Sequence, residues 1–441
     1  MKISYFPRMD AGRWLASLLI VLTLSAGAQT KSGRKSLPLT PATPESVGMS
    51  SERLARIDAM LQKKIDQGVI PGVVALVARN GKIVYHKAFG LSDTPAGKKM
   101  ATDDIFRIAS QTKAITATAV MMLWEEGKFN LDDPISKYIP EFKNARVLKS
   151  FQYGDTSFTT VPVVREITIR HLLTHTSGIG YGAIDGDERF RLIFQKAGIT
   201  DAFSTQNVVI SDNVKKLASM PLHHQPGEGY TYGEGLDVLG YFIEIMSGKK
   251  FDQYLREHLF DPLGMNDTWF YLPREKAGRL VKVQIPDGQG SWKPFEAASF
   301  FDPEYPIKGA QSFFSGGAGL SSTARDYATF LQMYLNGGEL NGVRILSRTT
   351  VETIMANHVG DLWQGPDRYY GLAFGVLTKS GKAKGGKGGE GLFDWGGYFN
   401  TQYFGDPEEK TIGILMKQTN GASGDDTEMM FRLLIGQAID D

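Results

Sequence analysis

The spacing of apolar residues divides this chain into strand-rich ends and a helix-rich middle. Two apolar stretches at 73–77 and 83–85 flank Asn80-Gly81, a dipeptide typical of a tight β-hairpin turn. Strand patterns return late in the chain, at 370–378, 401–405 and 411–416. Helical periods occupy 51–68, 236–246, 251–259, 324–335 and 427–439. This order predicts an α+β fold, in which one sheet is assembled from both chain ends and a mostly helical lobe, about residues 100–320, is inserted.

The sequence Ser110-Gln111-Thr112-Lys113 opens a run that stays apolar as far as Trp124. In a helix, residues three apart share a face with Cβ atoms roughly 5–6 Å apart, so Ser110 and Lys113 would point at the same space. A cation is disfavoured at a helix start, and that position favours the neutral amine that a general base requires. Alternatively, Ser110 only caps the helix, although a capping box needs Glu or Gln where Lys113 stands. These residues alone leave both interpretations open.

Residues 1–28 have the pattern of a secretory signal. Lys2, Arg8 and Arg13 precede the apolar stretch 14–24, and Ala26-Gly27-Ala28 offers small residues for cleavage. An uncleaved membrane anchor is the alternative, but the apolar stretch is shorter than the roughly 20 residues that span a bilayer. We therefore expect cleavage after Ala28, a flexible leader at 29–48, and a periplasmic or secreted protein without stable membrane insertion.

Composition excludes several classes of partner. The formal net charge is +1 for the whole chain, and it becomes −1 when residues 1–28 are removed with three basic residues and one acidic residue. A chain so close to neutrality has no charge excess to attract nucleic acid. The absence of cysteine from the sequence rules out disulfides and suits a bacterial periplasm or exterior.

Five motifs occur along the chain in a recognisable order and spacing. They are Phe106-Arg107-Ile108-Ala109-Ser110-Gln111-Thr112-Lys113, His171-Leu172-Leu173-Thr174-His175-Thr176-Ser177-Gly178, Pro226-Gly227 with Tyr230-Thr231-Tyr232, Asp261-Pro262-Leu263-Gly264-Met265, and Gly316-Gly317-Ala318-Gly319-Leu320. With these motifs the chain resembles the penicillin-recognising serine hydrolases, in the branch of class C β-lactamases, D-alanyl carboxypeptidases and family VIII carboxylesterases. The resemblance covers residues 45–438 and implies a β-lactamase/transpeptidase-like fold, with one hydrolase domain at 49–438 and its site at the lobe junction.

The resemblance also implies a role for each candidate catalytic residue. Ser110 would be the nucleophile of a serine hydrolase, Lys113 its base, and Tyr232 the residue that relays a proton to the leaving group. Backbone N–H groups of Ser110 and Tyr398 would form the oxyanion hole. Whether Lys113 or Tyr232 accepts the first proton stays open, and no metal or other cofactor is implied.

Two motifs depart from the family pattern, and both departures concern the substrate. The usual Tyr-x-Asn is Tyr232-Gly233-Glu234 here, and an ionised Glu234 cannot donate the hydrogen bond that an asparagine amide gives to a substrate. The usual Lys-Thr-Gly aligns with Trp395-Gly396-Gly397, so the cation that would meet a substrate carboxylate is replaced by an indole.

We therefore predict an enzyme that cleaves small carboxylic esters, with Glu234, Trp395, Gly396 and Gly397 as substrate-binding residues. A hydrolase of D-amino-acid peptides or β-lactam amides is the first alternative. A catalytically silent binding protein of the same fold is the second.

Two further groups of residues have a structural and a functional interpretation. His171 and His175, four apart, could bind a metal from one helix face, but no glutamate follows His171 and we predict no metal site. An aromatic-rich stretch either roofs an acyl pocket or packs between the lobes. Its members are Phe300, Phe301, Tyr305, Phe313 and Phe314.

Overall fold

A computed structural model describes residue 1 and the ranges 38–298 and 301–441. The predicted signal peptide beyond residue 1, the leader up to residue 37, and Phe300 lie outside the described residues. The strands are, in chain order, β1 (Thr40–Pro41), β2 (Gly72–Arg79), β3 (Lys82–Asp93), β4 (Lys98–Lys99), β5 (Phe106–Arg107), β6 (Arg146–Phe151), β7 (Phe158–Pro162), β8 (Gln284–Pro286), β9 (Trp292–Pro294), β10 (Ser321–Ser322), β11 (Glu339–Leu340), β12 (Val343–Arg344), β13 (Arg368–Tyr370), β14 (Gly375–Leu377), β15 (Phe393–Gly396), β16 (Gln402–Asp406) and β17 (Thr411–Met416). The α-helices are α1 (Ser51–Asp66), α2 (Thr112–Glu125), α3 (Ile169–Leu173), α4 (Glu188–Ala197), α5 (Ile210–Leu217), α6 (Gly235–Ser247), α7 (Phe251–Leu255), α8 (Asp261–Leu263), α9 (Tyr305–Lys308), α10 (Ala324–Leu335), α11 (Arg348–Met355), α12 (Lys379–Ala383) and α13 (Thr427–Gln437).

The main sheet is assembled from the two ends of the chain. Its strand order is β1-β3-β2-β17-β16-β15-β14-β13, with β4 paired to β3. The two ends of the chain meet where β17 pairs antiparallel with β2, from Thr411 opposite Arg79 to Met416 opposite Val74. Every pairing along this order is antiparallel except that of the two-residue β1 with β3. The predicted fold class is confirmed.

Strand β2 is buried along its whole length because both faces of the sheet are covered. Its odd-numbered valines, Val73 and Val77, pack into a cluster with residues of α1 and α13. Val74 and Leu76 belong to the larger core on the opposite face, which includes residues of α2 and α10. A one-residue register slip would move each of these side chains to the opposite face of the sheet. Because burying a Val or Leu side chain contributes about 1.5–3 kcal/mol, a slip that disrupts the packing on both faces would be costly. The hairpin turn at Asn80 and Gly81, both with positive φ, fixes that register.

Helix α2 occupies the centre of the molecule. Every residue from Thr112 to Met121 is buried, as the unbroken apolar run predicts. Inside the helix, the Thr116 hydroxyl donates to the carbonyl of Gly316 over 2.7 Å, which ties α2 to the glycine-rich segment before β10. The helices in the described ranges are all too short or too polar to traverse a lipid bilayer.

Strand β5 delivers the chain to the start of α2. It pairs with β10, and the next N–H, that of Ile108, donates to Leu320 over 3.0 Å. The side chain of Arg107 is completely buried, and its guanidinium donates to the carbonyls of Val281 and Pro303, each over 2.7 Å. Gln418, two residues after β17, accepts the Arg107 N–H over 2.8 Å with its side-chain oxygen. The turn that follows is therefore held from both lobes.

The structure differs from the predicted elements in three places. The predicted helix at 251–259 is interrupted by a π-helical turn, Arg256–Phe260, that separates α7 from α8. The predicted strand at 370–378 is a hairpin, because Gly371 to Phe374 turn the chain between β13 and β14. The composition of the glycine- and lysine-rich stretch at 380–391 predicts a mobile hairpin tip, but the stretch begins inside α12, which Thr378 caps.

Candidate active site

Ser110 lies in a 3-10 turn, Ala109–Gln111, that runs directly into α2. The residue before it, Ala109, has a φ of 45°, a left-handed conformation that a non-glycine residue rarely adopts. Ser110 does not cap the helix, since Gln111 occupies the capping position and gives no side-chain bond. Its Oγ lies 3.4 Å from Nζ of Lys113, as expected for residues three apart at a helix start.

The side chain of Lys113 is fully buried, and its Nζ has three oxygen neighbours. Nζ donates to the phenol oxygen of Tyr181 and to the carbonyl of Gly317, each over 2.7 Å, and Ser110 Oγ is the third neighbour. It also lies 4.6 Å from the ring centre of Tyr232. A neutral amine has two N–H bonds and one lone pair. With both N–H bonds used, its lone pair would face Ser110.

Tyr181 is a site residue that the sequence analysis missed. Burial raises the pKa of its phenol well above 10, and the neighbouring Tyr232, Asp237 and Glu234 raise it further. The group therefore remains a neutral phenol that accepts a hydrogen bond from Lys113. A sequence signal was present, because a tyrosine between two glycines, Gly180-Tyr181-Gly182, begins one residue after the Ser177-Gly178 motif.

Tyr232 and Trp395, predicted from different motifs, are brought into contact. The indole Nε1 of Trp395 donates to the Tyr232 phenol oxygen over 3.2 Å, and the two rings lie 5.7 Å apart. The other side of the Tyr232 ring packs on His175, with ring centres 4.4 Å apart. Tyr232 is therefore held between an indole, an imidazole and the Lys113 amine.

The glycines after Trp395 bring the chain close to the nucleophile turn. A Cβ on Gly397 would lie 2.4 Å from the carbonyl oxygen of Ile108, so the backbone at 397 lies directly against the segment that carries Ser110. Gly397 donates its N–H to Thr401 over 2.7 Å, closing a turn. The N–H of Tyr398, inside this turn, donates no hydrogen bond to any described residue. It is therefore available for the predicted oxyanion hole.

Comparison with known proteins identifies the family. The sequence model described as Beta-lactamase matches residues 57–437. The chain belongs to the beta-lactamase family. It is similar to the esterase EstB of Burkholderia gladioli, with 32% identity over 391 residues that cover 84% of this chain and 92% of EstB. It is also similar to a putative D-alanyl-D-alanine carboxypeptidase of Escherichia coli (strain K12), with 27% identity over 76% of each chain.

A solved structure extends the likeness to the fold. EstCE1, described as a hydrolase with promiscuous acyltransferase activity, superposes with a TM-score of 0.73 and 26% identity, covering 87% of this chain and 98% of that one. This chain is therefore a serine hydrolase with the beta-lactamase fold, and its relatives include esterases and a putative carboxypeptidase. The predicted family, fold and enzyme class are confirmed.

Glu234, which replaces the asparagine common in the beta-lactamase family, is only 3% exposed. Its carboxyl group is hydrogen-bonded to the side chain of Asp201 and accepts from the backbone of Gly182. Burial raises the pKa of Glu234 well above its usual value, and the carboxylates of Asp201 and Asp237 add to the rise. The raised pKa favours the protonated form, which can donate a hydrogen bond as the ionised form cannot.

Asp237, one turn further along α6, was not singled out in the sequence. It is 5% exposed, and burial raises its pKa, while bonds from Ser315 and the Gly317 backbone and the charge of Lys113 oppose the rise. Its carboxylate approaches Gly317 closely, since a Cβ there would lie 2.4 Å from Oδ2. Asp237 thus fixes the segment whose carbonyl accepts from Lys113.

The two histidines considered as metal ligands use one ring nitrogen each on the backbone. His171 Nδ1 accepts from Thr168 over 3.2 Å, and His175 Nδ1 accepts from Gly233 over 3.3 Å. Burial lowers the pKa of His175 well below 6.5, and the charge of Lys113 lowers it further, so the ring is neutral. His175 therefore supports the segment on either side of Tyr232.

The aromatic-rich stretch divides between two environments. Phe313 and Phe314 are part of the main core. Phe301 and Tyr305 instead pack with Phe203 and other buried residues, including Ala109 next to the nucleophile. Phe203 also lies 6.0 Å from the ring of Tyr398, and with Phe301 it lines a cavity of about 530 Å³. The cavity therefore adjoins the residue that carries the proposed oxyanion donor.

Proposed function

We propose that this chain is an exported esterase that hydrolyses carboxylic esters through an acyl-Ser110 intermediate. The observation that carries the proposal is the arrangement around Lys113. Its amine reaches two oxygen acceptors at 2.7 Å and the Ser110 Oγ at 3.4 Å. This arrangement supports Ser110 as the nucleophile and Lys113 as its base, because such contacts are often long in enzymes without substrate.

In the first step, Ser110 Oγ attacks the ester carbonyl carbon while its proton passes to the Lys113 amine. Tyr181 and Gly317 accept the two N–H bonds of that amine, so its lone pair is directed at the serine. The carbonyl oxygen becomes an oxyanion, which the N–H groups of Ser110 and Tyr398 would stabilise. One such donor accounts for about 10²–10³ in rate in other acyl-transfer enzymes.

In the second step, the C–O bond breaks and the alkoxide leaves with a proton. We assign the relay of a proton from the new ammonium to the leaving oxygen to Tyr232, whose ring centre lies 4.6 Å from Nζ of Lys113. Water then attacks the acyl carbon, giving its proton back through the same residues, and releases the carboxylic acid and free Ser110. The cycle consumes one ester and one water.

A neutral substrate is favoured by the residue at the third motif. Trp395 supplies no positive charge, and its one N–H is donated to Tyr232. A substrate carboxylate, such as the free end of a peptide, would lose the cation that the lysine of Lys-Thr-Gly provides. The similarity to the esterase EstB supports the same choice.

The larger group of the ester is proposed to occupy the cavity of about 530 Å³ beside Tyr398. Phe203 and Phe301 give it an apolar wall, and Asp201 with Asp302 adds polar groups on other sides. Pockets of roughly 300–1,000 Å³ hold ligands of drug size. We therefore expect the enzyme to hydrolyse esters with a bulky acyl or alkyl group in addition to short-chain esters.

Export is proposed from residues 1–28 alone. Their basic start, apolar core and small-residue exit have the order of a secretory signal. N-terminal sequencing of the protein recovered from a bacterial periplasm tests this, and a start at Gln29 is expected. A mature protein that begins at Met1 would contradict it.

A substrate panel tests the proposed reaction. Short-chain p-nitrophenyl esters, nitrocefin and a peptide ending in D-Ala-D-Ala are compared by kcat/KM, with Ser110→Ala as the matched inactive variant. We expect the esters to dominate and Ser110→Ala to lose ester turnover. A higher kcat/KM for the peptide or for nitrocefin than for the esters would indicate that the protein is an amide hydrolase. Failure of a fluorophosphonate to label Ser110 would indicate a silent binding protein.

A further inference from the structure

Two buried acceptors face each other behind the catalytic residues. Glu234 Oε1 and Asp201 Oδ1 are both buried, and no described residue donates a hydrogen bond to either. After burial and the neighbouring charges of Asp201 and Asp237, a side-chain hydrogen bond with Asp201 is a further cause that raises the pKa of Glu234. Two carboxylates cannot bond without a proton between them, and leaving buried acceptors unpaired costs about 1–3 kcal/mol each. One proton shared by the pair satisfies both.

The pair connects two segments that carry catalytic residues. Glu234 lies two residues after Tyr232 and immediately before α6, and its backbone N–H donates to Gly180 over 3.1 Å. Asp201 Oδ2 accepts the N–H of Ala183 over 3.0 Å. Glu234 also accepts from the backbone of Gly182. The short segment 180–183 is therefore held on both sides, and Tyr181 lies within it.

The deeper burial of Glu234 favours placing the shared proton on that carboxyl group. Glu234 is 3% exposed, while Asp201 is only half-buried and lines the cavity. Burial and the neighbouring acids raise the pKa of Glu234, and no cation contacts it directly. The titratable groups that face the pair from the surrounding segments are Asp237 of α6, Tyr181 of the 180–183 segment, and, beyond them, Lys113 of α2 and Tyr232.

We propose that Glu234 is a positioning residue, a neutral acid whose single O–H bond to Asp201 fastens the 180–183 segment and so holds Tyr181 against Lys113. The proposal rests on the proposed function for its kinetic consequence. In this proposal, the residue at the family's asparagine position positions a neighbouring segment of the site. A protonated carboxyl group can donate a hydrogen bond, as an asparagine amide does, but an ionised one cannot.

A pH dependence follows from the same geometry. When the pH rises high enough to remove the shared proton, two carboxylates face each other in a buried site, and Asp237 adds a third acid nearby. Neighbouring like charges repel more strongly in a buried site than in water. The 180–183 segment would then shift, Lys113 would lose the Tyr181 oxygen at 2.7 Å, and kcat would fall on the alkaline side.

The test compares three variants with the wild type in the full-length mature protein. Glu234→Gln keeps a donor toward Asp201 that cannot ionise, and Asp201→Asn supplies a donor toward an ionised Glu234. Glu234→Ala removes the bond. Glu228→Gln, in an exposed ion pair with Arg165, is the matched control for loss of an acid. Each protein is measured by kcat and KM from about pH 6 to about pH 10 and by infrared difference spectroscopy of the carboxylic acid carbonyl.

We expect Glu234→Ala to lower kcat by about tenfold or more, since a buried acceptor loses its only donor. Glu234→Gln should recover most of that loss and extend the alkaline limb of the pH profile, and Asp201→Asn should do the same. The wild type should show the infrared band of a neutral carboxylic acid at neutral pH. Glu234→Gln should remove this band, and Glu228→Gln should keep it.

Two results would overturn the proposal. One is an infrared band that survives in Glu234→Gln, and the other is an alkaline limb that coincides in wild type and Glu234→Gln. A residue with only a structural role would lower the yield of folded protein and leave that limb in place. The infrared readout needs no substrate, so failure of the esterase proposal leaves this test intact. If Glu234→Gln and Glu234→Ala lose the band but keep wild-type ester turnover at every pH, Glu234 is a neutral acid that does not position Tyr181.

Discussion

The indole N–H of Trp395 donates a hydrogen bond to the phenol oxygen of Tyr232 over 3.2 Å. The two residues are 163 positions apart, one at the end of β15 and the other just before α6. In this chain, the residue at the family's lysine position therefore contacts Tyr232, the proposed acid-base residue, and supplies no charge. Under the proposed function this contact couples specificity to proton transfer, so substitutions at Trp395 should affect both.

Trp395→Phe should lower kcat on short-chain esters about fivefold to tenfold. It removes the N–H that orients Tyr232 and keeps most of the ring packing, and a single hydrogen bond contributes about 0.5–1.5 kcal/mol. KM should change less than kcat. Trp363→Phe is the matched control, because that indole packs on Trp395 with ring centres 5.8 Å apart. Equal losses in both variants would show that packing, not the hydrogen bond, matters.

Trp395→Lys should shift preference toward substrates that carry a carboxylate. The new ammonium restores the charge of the Lys-Thr-Gly motif, and charge-assisted hydrogen bonds contribute about 1.5–3 kcal/mol. We expect the ratio of kcat/KM for a D-Ala-D-Ala peptide to that for a neutral ester to rise at least about tenfold. Steady-state assays on both substrates measure this ratio. An unchanged ratio would mean that another residue determines the choice of substrate.

Tyr181→Phe should lower kcat/KM about tenfold to a hundredfold. The change removes the oxygen that accepts from Lys113 at 2.7 Å, leaving a buried N–H without a partner at a cost of about 1–3 kcal/mol. The amine is then free to turn away from Ser110. Tyr153→Phe, at a tyrosine that is 62% exposed, controls for loss of a hydroxyl. Steady-state kinetics of the two variants decide, and full activity in Tyr181→Phe would remove this residue from the site.

Local pattern predicted the parts of the fold and site that depend on near neighbours. The hairpin around Asn80-Gly81, the strand Thr411–Met416 and the helix Ala324–Leu335 follow from periods of two and 3.6 residues. The contact between Ser110 and Lys113 follows from positions three apart at a helix start. None of these needs information from elsewhere in the chain.

The residues that the sequence analysis missed depend on contacts between distant segments. Tyr181 reaches Lys113 across 68 positions, from a loop without periodicity. The raised pKa of Glu234 comes first from burial and then from Asp201, which a second loop brings near it. An isolated glutamate is expected to be ionised, and burial beside another carboxyl group shifts the balance toward the protonated form. The assigned roles of Trp395, Glu234 and Tyr398 toward substrate stay predictions.

Asp326→Asn should make stability less dependent on pH. Burial raises the pKa of Asp326 from 3.8 to about 6, against bonds from the Asp267 N–H and Thr268 hydroxyl. Between these values the unfolded chain has released the proton that the folded chain still holds. The stability from this group is therefore complete below pH 3.8 and is lost as the pH rises to about 6. The loss amounts to about 3 kcal/mol at most.

Urea unfolding at a series of pH values measures this effect. The free energy of unfolding of Asp326→Asn relative to wild type should rise by up to about 3 kcal/mol between about pH 4 and about pH 7. An asparagine oxygen can still accept from the same two donors. Asp361→Asn, at an exposed position, should show no such slope. A difference that stays constant with pH would contradict the assignment.

Gly397→Ala should lower kcat on esters by at least about tenfold, by displacing the proposed oxyanion turn. A Cβ at 397 would lie 2.2 Å from Thr401 Oγ1 and 2.4 Å from the backbone oxygen of Ile108, and the latter cannot move without shifting the Ser110 turn. Gly396→Ala is the matched comparison, because its Cβ would approach Thr401 O only to 3.4 Å, an ordinary contact. We therefore expect a much smaller loss there. Burst kinetics with a p-nitrophenyl ester locate the defect in acylation, and equal losses in both variants would mean that any side chain in this turn is harmful, whatever its contact with Ile108.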